Sequence, residues 1–324
     1  MNLNRFNAKI LLFGEYSIIC GSQGLSIPFS HFSGELSFTN TDNYTDVDFA
    51  LTSNFHLRDY FLFLKELVKN GKSECDLQLQ LLENDIEKGL FFESSIPQGY
   101  GVGSSGALVA AIYERYAENK IKQSRTIKNN EILELKKIFS AMEAYFHGTS
   151  SGIDPLNCYI KYPLHIINQA NINIVGIPKS RGNNRAAIFL IDTKTTSKTE
   201  PLVNHFLKSC NSTDYKHFVE TKLIPATNNC ISLLLKGEHD AFYNSLYNLS
   251  LHQFHNFKRM IPEDFFHVWE KGLESGDFYC KLCGSGGGGF LLAFSANYPK
   301  AKDFFDEMKI QTIPVYRQEV ISKG

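Results

Sequence analysis

Apolar and polar residues follow each other along the chain with two periods, one typical of helices and one of strands. Asn54–Asn70 and Asn129–Phe146 repeat apolar side chains every three or four positions, which predicts two amphipathic helices. Asp76–Leu82 alternates at every second position, which predicts a strand. Ala8–Ile19 is largely apolar, and its break at Gly14-Glu15 predicts two short strands in place of one long element.

The other periodic segments continue this mixture of helices and strands. Further strands are predicted at Gly24–Phe29, Gly34–Phe38, Leu164–Val175, Ala187–Thr193, Phe278–Cys283, Phe290–Phe294 and Gln311–Tyr316. Further helices are predicted at Ser104–Glu118, Thr213–Leu235, His239–Phe257, Pro262–Ser275 and Tyr298–Met308. Strand–loop–strand units flanked by helices fit an α+β fold better than alternating βαβ units. The polar segment Lys179–Arg185 separates the two halves, so we predict one domain over residues 1–180 and a second over 181–324.

A glycine-rich segment leads directly into the predicted helix Ser104–Glu118. Its sequence over Ile96–Ala107 is Ile-Pro-Gln-Gly-Tyr-Gly-Val-Gly-Ser-Ser-Gly-Ala. Glycine lets the backbone adopt positive φ and approach an anion closely. The first turn of the helix then offers unpaired N–H groups and a partial positive charge. The segment therefore predicts a phosphate site, with a flexible turn and a serine cap as the alternative.

Two common phosphate-binding motifs do not account for this segment. The P-loop pattern GxxxxGK[ST] fails, because Gly71-Lys72-Ser73 supplies its end while Glu66 occupies the position of its first glycine. Gly101–Gly106 satisfies the dinucleotide pattern GxGxxG, but Asn119–Thr126 offers neither the acidic residue nor the strand that should follow. A P-loop and a dinucleotide-binding domain are therefore both disfavoured.

Composition narrows the class of protein further. The 324 residues are 43% hydrophobic and 21% charged, which is typical of a folded globular chain of one large or two ordinary domains. The formal net charge of −1 gives no indication of general binding to nucleic acid or to a membrane surface. The start of the chain does not resemble a secretory leader, and the seven cysteines are scattered, so we expect free thiols in the cytoplasm. Cys280 and Cys283 have CxxC spacing without a second pair, which makes a metal or redox role improbable.

Three separated segments resemble the signature motifs of the GHMP small-molecule kinases. They are Lys9–Tyr16 (Lys-Ile-Leu-Leu-Phe-Gly-Glu-Tyr), Pro97–Ala107 and Lys281–Phe290 (Lys-Leu-Cys-Gly-Ser-Gly-Gly-Gly-Gly-Phe). They occur in the order that the family shows, and they span almost the whole chain. The resemblance implies a two-domain α+β GHMP kinase fold. Its N-terminal domain would be S5-like and would bind the nucleotide and catalyse, and its C-terminal domain would be ferredoxin-like.

Within this family the likeness is greatest to the mevalonate kinases. His147–Asp154 resembles their His-Gly-x-x-Ser-Gly-x-Asp loop, and Asp192–Thr199 resembles their segment rich in threonine and lysine. Two departures leave the acceptor open: Tyr16 stands where histidine is usual, and Gly99–Gly106 is similar to the corresponding segment of phosphomevalonate kinases. The resemblance implies transfer of the γ-phosphate of ATP to an alcohol, either mevalonate or phosphomevalonate. A GHMP-fold protein that binds ligands without catalysis is a third alternative.

The resemblance also implies roles for individual residues. Asp154 would accept the proton of the acceptor hydroxyl, and Lys9 beside it would neutralise developing charge, which is what phosphoryl transfer requires. Ser105 and Glu143 would hold Mg²⁺, although the sequence does not separate Ser105 from Ser104. The residues expected to bind ATP are Pro97, Gly99, Gly101, Val102, Gly103, Ser104, Ser105 and Gly106. Those expected near the small-molecule alcohol are Glu15, Tyr16, Gly286 and Gly287.

Each of these assignments has a plainer alternative. Asp154 precedes Pro155 and could simply form a turn, Lys9 could be an exposed lysine at a strand end, and His147 is expected to brace its loop. A phosphorylated acceptor would need additional cations, for which the candidates are Lys179, Arg181, Arg185, Lys194 and Lys198. No nucleic-acid or membrane partner is expected, and the resemblance leaves a homodimer open.

Overall fold

Two antiparallel β-sheets, built from different halves of the chain, organise the structure. It is a computed structural model that describes residues 4–39, 46–178, 185–196 and 199–317. Within these ranges, the N-terminal sheet has the strand order β1-β2-β4-β5, with β3 paired to the far part of β2. Its strands are β1 (Phe6–Phe13), β2 (Gly24–Phe38), β3 (Leu90–Ser94), β4 (Leu164–Asn168) and β5 (Asn171–Ile174).

The C-terminal sheet has the order β7-β8-β6-β9 among the described residues. Its strands are β6 (Ala187–Asp192), β7 (Tyr279–Leu282), β8 (Phe290–Ser295) and β9 (Thr312–Arg317). All six residues of β8 are buried, which agrees with its continuously apolar sequence and its position between two neighbouring strands.

Helices cover both sheets. In the N-terminal half they are α1 (Val47–Lys69), α2 (Leu79–Glu87), α3 (Ser104–Tyr116), α4 (Asn129–His147) and α5 (Ile153–Ile160). In the C-terminal half they are α6 (Thr199–Ser209), α7 (Thr213–Phe218), α8 (Ile224–Lys236), α9 (His239–Asn256), α10 (Phe266–Ser275) and α11 (Tyr298–Glu307). A π-helical turn at Val219–Leu223 joins α7 to α8, and 3₁₀ turns lie at Ser17–Cys20, Lys258–Met260 and Glu263–Phe265.

The structure corrects several of the predicted elements. The strand predicted at Asp76–Leu82 is wrong: α2 begins there at Leu79, and Leu77 alone forms an isolated bridge, to Ala117. The second strand predicted within Ala8–Ile19 is a 3₁₀ turn at Ser17–Cys20.

Other predicted boundaries shift without changing the fold class. Gly24–Phe29 and Gly34–Phe38 belong to one strand, β2. Within it, Gly34 leaves room for the ring of Phe92, which lies 2.3 Å from where a β-carbon would be. Leu164–Val175 divides into a hairpin, β4 and β5. The helix α6 was not predicted.

Aromatic contacts join the two halves. Phe13 of β1 stacks on Phe294 of β8 with ring centroids 5.5 Å apart, and Phe32 of β2 stacks on Phe290 at 6.1 Å. The predicted domain boundary between residues 180 and 181 lies outside the described residues and stays a prediction. In the described part of the chain, no helix has both the length and the apolar character needed to cross a lipid bilayer.

Candidate active site

A cavity of about 1020 Å³ lies between the two halves. It is bordered by the start of α3, the end of α4, the loop before α5, one face of α1 and the glycine-rich segment after β7. The predicted site residues that line it are Lys9, Pro97, Gly99, Gly101, Val102, Gly103, Ser104, Ser105, Glu143, Asp154 and Gly286. Residues predicted from three distant motifs therefore meet around one space.

The N-terminus of α3 opens into this cavity. Gly103 is its N-cap, has φ 81° and makes no side-chain capping bond, so the amides of its first turn are not satisfied by a cap from the described residues. The helix end carries a partial positive charge, and Ser104 and Ser105 of the first turn line the cavity. This end of the cavity is suited to bind an anion such as a phosphate.

Two glycines let the glycine-rich segments Pro97–Ala107 and Lys281–Phe290 lie against each other. A β-carbon on Gly101 would lie 2.9 Å from the carbonyl oxygen of Cys283, and one on Gly284 would lie 3.0 Å from the α-carbon of Gly101. Any side chain at either position would push the segments apart. The backbones of the two segments are therefore in direct contact where Gly101 and Gly284 line the cavity.

Lys9 and Asp154 form an ion pair at the cavity. Nζ of Lys9 lies 2.9 Å from Oδ2 of Asp154, and the two side chains are 5% and 39% exposed. Burial on its own would lower the pKa of the Lys9 amine, but the charge of Asp154 and its hydrogen bond raise that pKa above the ordinary value. The lysine is therefore a fixed positive charge next to a carboxylate that remains open to the cavity.

The backbone holds both partners of this pair in place. Lys9 lies in β1, and its amide donates to the carbonyl of Val102 at 3.0 Å. Asp154 lies in the first turn of α5, which packs closely on α3, since a β-carbon on Gly106 would come within 2.8 Å of the Asp154 carbonyl carbon. Gly106 does not line the cavity, so its observed place is in this helix–helix contact.

A second polar cluster surrounds Glu143. The Ser105 hydroxyl donates to Oε1 of Glu143 at 3.1 Å, and the Ser150 hydroxyl donates to Oε2. Burial and the negative charge of Asp154 raise the pKa of Glu143 to about 7, against the opposing effect of the two serine hydrogen bonds and Lys9. Nε2 of His147 lies 3.3 Å from the Ser105 hydroxyl, a contact that fits the expected bracing role.

The cluster offers hard oxygen donors of the kind that bind Mg²⁺. Ser105 and Glu143 could hold such an ion together with a ligand's phosphates. Among the residues that the structure describes, there is no group of three or more His, Cys, Asp or Glu side chains placed to hold a metal by themselves.

Glu15 and Tyr16, predicted near the acceptor, do not line the cavity. Glu15 forms an ion pair with Lys281 at 2.6 Å, and both side chains are almost fully buried. This pair joins the two halves of the chain. Tyr16 packs on Phe206 and Phe257 with ring centroids 4.9 and 5.4 Å away, and its hydroxyl donates to the Ser285 carbonyl at 2.6 Å. Both residues therefore contact the glycine-rich segment Lys281–Phe290 outside the cavity.

Of the two glycines predicted near the acceptor, one lines the cavity and the other does not. Gly286 lines the cavity, and its backbone lies against the carbonyl of Met260. Gly287 does not line it, and its amide donates to the same Met260 carbonyl at 2.6 Å.

Sequence reasoning missed the apolar end of the cavity. Phe49 and Leu57 of α1, Phe92 of β3 and Phe146 of α4 contribute to its wall. The apolar period of these helices predicts only that they are amphipathic, and nothing in it separates a cavity wall from the core. Ser150 and Thr199, which line the cavity, and Lys281, which pairs with Glu15, were also missed, although all three stand inside the quoted segments.

Comparison with known proteins finds one matching family and several solved structures of similar fold. Residues 64–160 match the family described as GHMP kinases N terminal domain. Residues 64–160 are therefore similar to the N-terminal domain of the GHMP kinases. The resemblance predicted from the three motifs is thereby confirmed. No curated protein sequence was found to match the chain.

Solved structures are similar in fold over almost the whole chain. The L. major mevalonate kinase in complex with R-mevalonate superposes with a TM-score of 0.63 at 16% identity, covering 99% of this chain and 97% of that one. The Streptococcus pneumoniae phosphomevalonate kinase in complex with phosphomevalonate and AMPPNP gives 0.61 at 13% identity, covering 97% and 100%. The Lactococcus lactis galactokinase complexed with galactose gives 0.61 at 14% identity, covering 98% and 94%. The predicted α+β GHMP kinase fold is confirmed.

Proposed function

We propose that the protein is a cytoplasmic ATP-dependent kinase that transfers the γ-phosphate to a small-molecule alcohol, with mevalonate as the acceptor and 5-phosphomevalonate as the product. The observation that carries this proposal is the Lys9–Asp154 pair, at 2.9 Å, in the same cavity as the uncapped start of α3. A base and a phosphate-binding helix end in one cavity are what transfer to a hydroxyl requires. The seven cysteines are all free thiols, in keeping with a reducing compartment.

The residues divide the work between them. The amides of Gly101–Ser105 bind the phosphates of the nucleotide, and the helix end orients them. Asp154 accepts the proton of the acceptor hydroxyl. At the same time the hydroxyl oxygen forms a bond to the γ-phosphorus, and the bond from that phosphorus to the leaving oxygen of ADP breaks. Lys9 stays protonated and offsets the negative charge that develops on the acceptor oxygen.

Ser105 and Glu143 would hold Mg²⁺ beside the phosphates. When bound, the ion supplies positive charge that neutralises the transferring phosphoryl group. Support for this assignment comes from the donor set, a hydroxyl and a buried carboxylate that already approach each other to 3.1 Å.

The acceptor is the finer part of the proposal. Support for mevalonate comes from the likeness of His147–Asp154 and the first motif to mevalonate kinases, and one similar structure holds R-mevalonate. Phosphomevalonate is the alternative, since another similar structure holds it together with a nucleotide analogue. Of the cations considered for an extra phosphate, Lys179, Arg181 and Lys198 lie outside the described residues, and Lys194 pairs with Asp192 at 3.3 Å.

An acceptor panel tests the proposal. Purified protein is incubated with Mg-ATP and mevalonate, phosphomevalonate or galactose, and ADP release is followed. We expect turnover with mevalonate. Turnover with phosphomevalonate alone would move the assignment to that acceptor, and nucleotide binding without ADP release for any acceptor would favour a binding protein.

A further inference from the structure

A single hydroxyl hydrogen faces two acceptors beside the start of α3. Oγ of Ser105 lies 3.1 Å from Oε1 of Glu143 and 3.3 Å from Nε2 of His147. A serine hydroxyl has one hydrogen to donate and two lone pairs. It can therefore donate to only one of these neighbours at a time, and the choice decides which way its lone pairs face.

In the structure as it stands, hydroxyl groups approach both oxygens of Glu143. Ser105 donates to Oε1 and Ser150 donates to Oε2. A carboxylate and a hydroxyl bind a divalent cation through oxygen lone pairs. A hydrogen between Ser105 and Glu143 would lie in the space that a cation shared by these two oxygens needs, so that hydrogen has to turn away before both can act as ligands.

His147 is placed to receive it. It is the last residue of α4, one helical turn after Glu143, so the two side chains leave the same face of the helix. His147 also lines the cavity. A neutral imidazole that carries its hydrogen on Nδ1 presents a lone pair at Nε2.

We propose that His147 is a positioning residue for Ser105: its Nε2 accepts the Ser105 hydroxyl hydrogen, which turns the lone pairs of Ser105 toward a divalent cation shared with Glu143. This inference rests on the proposed function, which assigns Ser105 and Glu143 to the ion. His147 itself touches neither the ion nor the reacting atoms. Its effect is on metal affinity, through the orientation of one ligand.

Two amide variants separate this role from simple packing. The amide oxygen of glutamine reaches about the position of Nε2, whereas that of asparagine reaches only the position of Nδ1. Mn²⁺ binding is measured by electron paramagnetic resonance in the presence of AMPPNP, and AMPPNP binding is measured separately in EDTA. We expect His147→Leu and His147→Asn to raise the dissociation constant of Mn²⁺ about tenfold, as loss of a ligand's hydrogen-bond partner does elsewhere. His147→Gln should stay within about twofold of the original protein, and AMPPNP binding in EDTA should not change.

A double-mutant cycle adds a test that misfolding would not mimic. If His147 acts only through the Ser105 hydroxyl, His147→Leu should have no further effect on Mn²⁺ binding once Ser105→Ala is present. His255→Gln, on the exposed end of α9 and away from the cavity lining, is the matched control and should bind Mn²⁺ normally.

The outcomes distinguish this inference from the proposed function beneath it. If Glu143→Gln binds Mn²⁺ as tightly as the original protein does, the proposed metal site is wrong. If Glu143→Gln loses Mn²⁺ while His147→Leu keeps it, the metal site stands and the role of His147 is overturned. Equal weakening in His147→Asn and His147→Gln, or additive effects of Ser105→Ala and His147→Leu, would also overturn it.

Discussion

Lys9 of β1 and Asp154 of α5 lie 2.9 Å apart, with the lysine buried and the carboxylate open to the cavity. The lysine carbon chain also lies against Gly103, where a β-carbon would come within 2.8 Å of Cγ of Lys9. The Lys9–Asp154 pair and the start of α3 are therefore one packed unit. A change in the backbone at the helix end would be transmitted to the lysine.

Gly103→Ala tests this packing. Gly103 has φ 81°, which costs a residue with a β-carbon about 1–2 kcal/mol, and the new methyl group would displace Lys9. We expect a lower free energy of unfolding in a urea titration and weaker nucleotide binding by calorimetry. The control is Gly176→Ala, which has open space around its β-carbon position and no positive φ, and should leave both values nearly unchanged. Equal behaviour of the two variants would contradict the proposed contact.

Lys281→Met tests the buried ion pair between the halves. Lys281 and Glu15 are 0% and 1% exposed, and Oε2 of Glu15 is buried without a hydrogen-bond partner among the described atoms. Removing the lysine leaves an uncompensated carboxyl group, so we expect a loss of about 3–5 kcal/mol in the free energy of unfolding. Replacing Glu15 by Met as well should restore much of it. Lys69→Met, which breaks an exposed pair with Glu66, is the control, and an equal loss there would remove the special role of burial.

Tyr16→Phe decides between two roles for this residue. In the structure the Tyr16 hydroxyl donates to the Ser285 carbonyl and lies outside the cavity lining. Loss of this bond should lower the free energy of unfolding by about 1 kcal/mol and leave the KM for the acceptor close to its original value. If Tyr16 instead contacts the acceptor, as the resemblance implies, Tyr16→Phe should raise the KM for the acceptor and leave the free energy of unfolding constant.

The pH dependence of stability tests the surroundings of Glu143. Its pKa is about 7 in the folded protein, because burial and Asp154 favour the neutral form, and about 4.3 in an unfolded chain. Between those values the folded state holds a proton that the unfolded state releases, so the free energy of unfolding falls as the pH rises through this range. Glu143→Gln cannot titrate at this position, so its free energy of unfolding should not fall in the same way. We expect the difference between Glu143→Gln and the original protein, both measured in EDTA, to grow by up to roughly 3 kcal/mol between about pH 5 and pH 8. Parallel curves would show that Glu143 titrates normally.

The family resemblance grouped residues that are distant in the sequence, which local periodicity cannot do. Lys9, Ser105, Glu143 and Asp154 were assigned together from the family resemblance, and all four line one cavity in the structure. Local periodicity failed at Asp76–Leu82, because leucines at 77, 79 and 81 alternate as in a strand. The helix there instead buries Leu82, Asp85 and Ile86, a spacing visible only when the window extends further.

Contacts between distant segments could not be predicted in this way. No sequence pattern links Glu15 to Lys281. The pair forms where the end of β1 lies against β7, as the 5.8 Å distance from Nζ of Lys281 to the ring centroid of Phe13 also shows. The motif resemblance placed Glu15 and Tyr16 by analogy near the acceptor, whereas packing turns Tyr16 into an aromatic cluster with Phe206 and Phe257. The aromatic partners lie in the C-terminal half, which the first motif does not include.

Asp154→Asn tests the central claim most directly, since it keeps the size of the side chain and removes the base. The turnover number is measured with Mg-ATP and mevalonate, or with the acceptor that the panel identifies, and the affinity for Mg-AMPPNP is measured on the same preparation. We expect the turnover number to fall by about 10²–10⁴-fold while nucleotide affinity stays within about twofold. Turnover like that of the original protein would contradict the account, because Asp154 would then not accept the acceptor's proton.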